Sequence, residues 1–285
     1  MAALVPSLYN DDTIEQWRHD KTMLHSSGIW GRQPVLKYLR EQVLARGDVV
    51  VDLGAGAGYP SLQMSAMVGA SGRVIGIELS EAMVQAARAH CRADNLVFAP
   101  GDVTQPLAIA DETADVVTSF MVLHNLRLAQ ARATLSEVER ILKPGGRAVF
   151  LTMHPDAFES QWELDFLSYD ATALRRYRSA QNREDLEIPG RARNAAGGEN
   201  IIVTLYHSRA NLLQAAHDAG LVLAYEQDLW IERDKAHELF GTATIRKLPS
   251  TPIYWLLSLR KPQPVAELPA EMLASPAPQQ PTAEG

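Results

Sequence analysis

The chain has 285 residues, 46% hydrophobic and 21% charged, which is ample for one large core or a core with an elaboration. Its net charge of −7 disfavours a nucleic-acid backbone as the main partner, and its single cysteine, Cys91, excludes an internal disulfide and fits a reducing cytoplasm. No apolar run reaches the ~18 residues of a membrane span, residues 1–10 lack the pattern of a secretory leader, and the histidines show no metal-ligand spacing, so no metal is expected.

Residues 1–33 read as an irregular arm or lid carrying Tyr9, Trp17, His25 and Trp30. Pro34 opens a helix whose Val35, Leu36, Leu39 and Val43 share a face, and Gly47 ends it. Val49–Val51 is a short β-branched run that reads as a buried strand. It ends in Asp52, and glycines at 54, 56 and 58 precede a helix starting at Pro60. A second strand, Arg73–Ile77, ends in Glu78, and Ser80 caps the helix Glu81–Arg92. Leu96–Ala99 is a third strand, followed by Gly101-Asp102-Val103. Asp115–Phe120 is a fourth, with His124 just beyond it. A helix through Leu135, Val138 and Ile141 stops at Pro144-Gly145-Gly146, and a fifth strand, Ala148–Thr152, delivers His154. Such alternation predicts a parallel sheet flanked by helices.

The alternation then breaks. Residues 155–207 carry Phe158, Trp162, Phe166, Tyr169 and Tyr177, then six arginines between 175 and 193 mixed with acids, a solvated face more than an anion site. Asn200–His207 reads as a strand too early to be the sixth of the main sheet. Ser208 caps a helix closed by Gly220, and Leu221–Gln227 and Ile253–Leu259 supply the last two strands. From Pro262 the chain holds six prolines and five alanines in 24 residues and reads as a disordered tail.

The glycine loop departs from both common nucleotide patterns. A dinucleotide fingerprint needs G-x-G-x-x-G, but Tyr59 stands where the third glycine should fall; a phosphate loop needs a lysine, and none follows Gly58. Asp52 would repel a pyrophosphate and suits a cation such as the amino group or sulfonium of S-adenosylmethionine. Glu78 follows 26 residues later (78 − 52 = 26), near the spacing at which an acid accepts ribose hydroxyls, and Asp102 can accept from an exocyclic amine.

Read together, VVVDLGAGAG, VIGIELSEAM, FAPGDVTQPL, DVVTSFMVLHNL and LKPGGRAVFL run in order over roughly residues 47–152. In this ordered set the chain resembles the class I S-adenosylmethionine-dependent methyltransferases, particularly their small-molecule, quinone-biosynthesis branch. The resemblance implies a three-layer α/β fold of Rossmann-like type: a mostly parallel seven-stranded sheet with an antiparallel last strand, plus an N-terminal arm and an inserted cap. The implied parts are an arm over 1–33, a cofactor half over 34–154, a substrate cap over 155–207, a C-terminal part over 208–261 and a tail over 262–285. The resemblance further implies Asp52, Gly54, Ala55, Gly56 and Gly58 around the methionine end of S-adenosylmethionine, with Ser119 and Phe120 beside them. Glu78 would hold the ribose, Leu79 and Met83 would flank the adenine, and Gly101, Asp102 and Val103 would read its edge.

The acceptor must then be held by uncommitted material at the sheet's carboxyl edge. Tyr9, Trp17, His25, Trp30, Phe158 and Trp162 are the substrate candidates, under a helical and aromatic lid. His124 and His154 are the candidate catalytic bases, needed only if the acceptor loses a proton during attack. The expected activity is methyl transfer by in-line displacement to a small, partly apolar molecule. Rival readings are a non-methylating chemistry on the same cofactor, a non-catalytic module that senses it, and a nicotinamide dehydrogenase.

Overall fold

The computed structural model describes residues 28–159, 163–164, 167–181, 183–193, 199–240, 245–247 and 249–264. Tyr9, Trp17, His25, Trp162 and the tail from 265 onward lie outside the described residues.

The first helical segment, α1, runs through Gly28–Arg32, Gln33–Tyr38 and Leu39–Val43. It starts earlier than Pro34, because proline is tolerated in a first turn but does not require the helix to begin there. Val35 and Leu39 are fully buried on its inner face. Then follow β1 (Val49–Leu53), α2 (Tyr59–Val68), β2 (Arg73–Glu78), α3 (Glu81–His90), β3 (Leu96–Pro100) and β4 (Ala114–Phe120). After these come α4 (Leu128–Ile141) and β5 (Leu142–Met153). Ser80 caps α3 as expected, its Oγ accepting the Met83 amide at 3.3 Å. The Pro144-Gly145-Gly146 stretch does not end a helix. It lies inside β5, in a bulge where the β4 register jumps from Ala114↔Leu142 to Val116↔Arg147.

The main sheet has the order β10-β12-β5-β4-β1-β2-β3, with β10 spanning Val222–Leu229 and β12 spanning Tyr254–Arg260. Strands β3, β2, β1, β4 and β5 are parallel, and β12 runs antiparallel to both β5 and β10. The expected seven-stranded, mostly parallel sheet with an antiparallel last strand is therefore present. Val50, Val51 and Leu53 are completely buried because both faces of a parallel strand are covered by helices. Each such side chain stabilises the sheet by roughly 1.5–3 kcal/mol.

The material after β5 is not the helical lid that was expected. It forms a second, antiparallel sheet of order β11-β6-β7-β8-β9, where β6 is Glu163–Leu164, β7 Leu167–Tyr169, β8 Glu187–Arg193, β9 Glu199–Leu205 and β11 Ile245–Lys247. One helix, α5 (Ala171–Ser179), packs on it. Strand β11 returns from beyond β10, after α7 (Arg233–Phe240), so this sheet draws on the chain past residue 207. Between β9 and β10, α6 (Arg209–Asp218) is capped by Ser208. Among the described residues no helix is long and apolar enough to cross a membrane.

Candidate active site

Parallel register brings the ends of β1, β2, β3, β4 and β5 to one edge, where an open α/β sheet binds its ligands. The glycine loop there is held by its neighbours. The Gly54 and Ala55 amides both reach the Ile77 carbonyl, at 2.8 and 3.0 Å. The Gly56 amide donates to Glu78 Oε2 at 3.0 Å, while Glu78 Oε1 accepts the Ser80 amide at 3.0 Å. One acid thus ties the loop to the start of α3.

The three glycines differ in why they are glycine. A Cβ on Gly54 would sit 2.3 Å from Val122 Cγ2, and one on Gly58 would sit 2.6 Å from Phe98 Cζ. Those two positions are small because protein packs against them. Gly56, at φ +54°, would meet only Met83 Cε at 3.6 Å, so the open space of the loop lies there.

Asp52 is 1% exposed and sits beneath the loop. Its Oδ2 accepts the Ser61 hydroxyl at 2.5 Å and its Oδ1 accepts the Thr118 hydroxyl at 2.9 Å. Burial pushes its pKa up to about 6; the two hydroxyls and the Arg32 cation oppose that rise, and Glu78 adds to it. Asp102 accepts the Thr104 amide and hydroxyl on Oδ1, at 2.9 and 2.8 Å, forming a local turn. Gly101 anchors this strand tip through a 2.9 Å bond to the Glu78 carbonyl, and Val103 is buried beneath it. Leu79 is 54% exposed beside the buried Met83. Ser119 is turned inward, donating to the Leu53 carbonyl at 2.8 Å, and Phe120 is buried next to it.

Arg32 is a member of this neighbourhood that sequence reasoning did not single out. Its Nε is buried with no hydrogen-bond partner, and burial lowers its pKa against the pull of Tyr254 and Asp52. Tyr254 pairs with Met153 at the end of β5, so this guanidinium belongs to the same edge. A run of Gly, Trp and Arg before a proline carries no periodic signal that would mark it.

A small cavity lies between the tips of β4 and β5 and the end of β9, lined by His124, His154, Phe158, Leu205, Tyr206 and His207 among others. His124 and His154 therefore share one small cavity, together with His207, the residue before the Ser208 cap. Phe158 is buried, with edge contacts to Tyr169 and Tyr177 at centroid distances of 4.9 and 6.0 Å. Trp30, 4% exposed, is packed into the core. His124 Nδ1 lies 3.3 Å from Thr152 Oγ1, and burial, then the nearby His207, drop its pKa to about 3. Among the described residues, Glu184, Asp185 and His207 bring three potential cation-ligand atoms together. Its atoms already bond one another and the backbone: His207 Nδ1 to Glu184 Oε1 at 2.6 Å, and Asp185 Oδ1 accepting the Leu128 amide at 2.6 Å.

This sheet order, with its strand tips gathered at one edge, is that of the class I methyltransferase fold. Comparison agrees, since residues 50–146 match the methyltransferase domain family. The demethylmenaquinone methyltransferase of Symbiobacterium thermophilum is 35% identical over 129 residues, covering 44% of this chain and 50% of that protein. The arsenite methyltransferase of Halobacterium salinarum is 36% identical over 107 residues, covering 36% of this chain and 27% of that protein. The chain thus spans half or less of these two relatives. An S-adenosylmethionine-dependent methyltransferase structure from Mesorhizobium loti shares the fold, with TM-score 0.53 and 23% identity over 80% of this chain and 96% of that one. Residues 50–146 are thus similar to a methyltransferase domain, set in a fold shared with solved S-adenosylmethionine-dependent methyltransferases.

Proposed function

We propose that the protein binds S-adenosylmethionine at the tips of β1, β2 and β3 and transfers its methyl group to a small, partly apolar acceptor at the same carboxyl edge of the sheet. When bound, the cofactor supplies an electrophilic methyl on a positively charged sulfur. The observation that carries the reading is Glu78, which fastens Gly56 and Ser80 through its two oxygens beside the exposed Leu79. A carboxylate has about four lone-pair sites, so Glu78 can accept both ribose hydroxyls while keeping those amides. Leu79 and Met83 flank the adenine, and Asp102 accepts its amine on Oδ2. The Arg32 guanidinium takes the methionine carboxylate, which would partner its buried Nε. Asp52 lies below the loop and adds a negative charge under the positively charged end of the ligand.

Two features favour a quinol-like acceptor over an arsenic one. Soft acceptors are gathered by several thiolates, and Cys91 is buried under the loop, its Sγ bonded to the Ala57 carbonyl at 3.3 Å. The edge beyond β5, in turn, is apolar and aromatic there, with Phe158, Leu205 and Tyr206 close together. Net charge also speaks against nucleic acid as acceptor. Incubation with methyl-labelled S-adenosylmethionine and a lipid-soluble quinol fraction tests the proposal. Formation of S-adenosylhomocysteine with label in an apolar product supports it; cofactor binding without either product refutes it.

A further inference from the structure

Met121 holds a backbone conformation that its side chain does not favour. Among the described residues three that are not glycine have a positive φ: Glu112 at 51°, Met121 at 64° and Asp185 at 56°. Asp185 has the short polar side chain that tolerates the left-handed region, and Glu112 lies in an exposed turn. Met121 has neither reason, being long, apolar and partly buried against the core. It follows the last residue of β4, and its amide still reaches the Leu151 carbonyl of β5 at 2.7 Å. Its carbonyl turns instead to the Asn125 side chain, whose Nδ2 donates to it at 3.0 Å. Asn125 ends a short helical turn, Leu123–Asn125, with its own amide on the Val122 carbonyl at 2.8 Å. Beyond that turn the Leu126 carbonyl lies 2.6 Å from His207 Nε2, and the Leu128 amide donates to Asp185 Oδ1 at 2.6 Å, which fixes its far end. On the near side Ser119 donates to the Leu53 carbonyl at 2.8 Å. Val122 Cγ2 stands 2.3 Å from where a Cβ on Gly54 would be. The reversal at Met121 seats Val122 on the first glycine of the loop.

We infer that Asn125 is a positioning residue: it pins Met121 in the left-handed conformation, which keeps Val122 against Gly54 and fixes the wall of the site beside the glycine loop. The inference rests on the methyl-transfer reading for the ligand which that wall faces. A methionine in this conformation crowds its Cβ against the following carbonyl oxygen, and such strain persists only where the surroundings over-determine it. Here the bond to β5, the Asn125 amide and the contact on Gly54 do so. Without the Asn125 bond, Met121 relaxes to a negative φ and Val122 leaves Gly54. The loop then loses the contact that keeps it shaped for S-adenosylmethionine. Replacing Met121 by glycine removes that preference, because glycine occupies the left-handed region about as readily as the right-handed one. The need for Asn125 therefore depends on the residue at position 121.

The test is a double-mutant cycle on the full chain, read by calorimetry of S-adenosylhomocysteine. Asn125→Ala is expected to weaken binding by at least about fivefold in the wild-type background, the scale of one hydrogen bond. The same change is expected to keep that effect in a Met121→Ala background, where the Cβ remains. In a Met121→Gly background it is expected to fall to about twofold or less. An Asn125→Ala effect that is absent in the wild type, or equal in the two backgrounds, overturns the inference. A second readout needs neither ligand nor a change at Asn125. Met121→Gly and Met121→Ala lose the same thioether, and in urea the glycine variant is expected to be at least as stable, against the usual order of the two residues. A lower urea midpoint for Met121→Gly overturns the pinned conformation. A wild type that does not bind S-adenosylhomocysteine would count against the methyl-transfer reading alone, and the urea midpoints would still decide this one.

Discussion

Asp52 offers a perturbation whose size follows from the structure. Its carboxyl titrates at 3.8 when unperturbed and at about 6 in the fold, chiefly because burial disfavours the charged form. The folded pKa is the higher one, so the contribution to stability is fully present below about pH 4. It is lost as pH rises through about 6, because the folded state must then hold a desolvated anion. A rise from 3.8 to about 6 corresponds to about 3 kcal/mol at ~1.4 kcal/mol per pH unit. Asp52→Asn keeps a polar partner for Ser61 and Thr118 and removes the charge. Urea denaturation of wild type and variant, at pH 4 to pH 8, is expected to show the variant gaining on the wild type across that window, by up to about 3 kcal/mol. The gain should level off above pH 7. Cofactor affinity should fall in the same variant, since the charge beneath the ligand is gone. A stability difference that does not change between pH 4 and pH 8 would refute the buried-anion reasoning.

The glycine loop gives a paired test: Gly58→Ala should destabilise by at least ~2 kcal/mol, from positive-φ strain plus collision with Phe98. Gly56→Ala should cost only about 1 kcal/mol of folding stability while weakening cofactor binding more than tenfold, because its Cβ enters the open space. Equal stability losses in the two variants would count against the division drawn between them. Arg32→Met should weaken S-adenosylhomocysteine binding by roughly tenfold, the scale of a lost charge-assisted bond, and leave 5′-methylthioadenosine, which lacks the carboxylate, unaffected. Calorimetry showing equal losses for both ligands would place Arg32 elsewhere in the site. The same variant should not lower the melting temperature, since it replaces a buried cation with an unpartnered Nε by an apolar chain of similar length.

The legible parts of this chain are those set by local pattern. Val49–Val51 followed by an acid and spaced glycines needs nothing distant to be read, and neither does Ser80 before its helix. Glu78 was readable for the same reason, standing at a strand end a fixed interval from Asp52. What escaped depended on distant partners. His207 is bonded to Leu126, 81 residues away in sequence, and Arg32 reaches Asp52 and Tyr254 only because α1 folds over their edge. The inserted sheet hid because β8 contains Pro189 and Gly190, residues that ordinarily argue against a strand. Its partner β11 arrives from beyond β10, a pairing no local pattern announces. That Gly54 and Gly58 also answer to packing was not legible, because Val122 and Phe98, which fill the space a Cβ would take, come from distant parts of the chain.

The central claim is that the tips of β1, β2 and β3 form an S-adenosylmethionine site, and calorimetric titration tests it most directly. S-adenosylhomocysteine should bind the wild type one to one, and Glu78→Ala should weaken that binding by at least ~1 kcal/mol, because the ribose loses its acceptor and Gly56 its tether. Unchanged affinity in both Glu78→Ala and Asp102→Ala, or equally tight binding of a nicotinamide dinucleotide, would contradict the account.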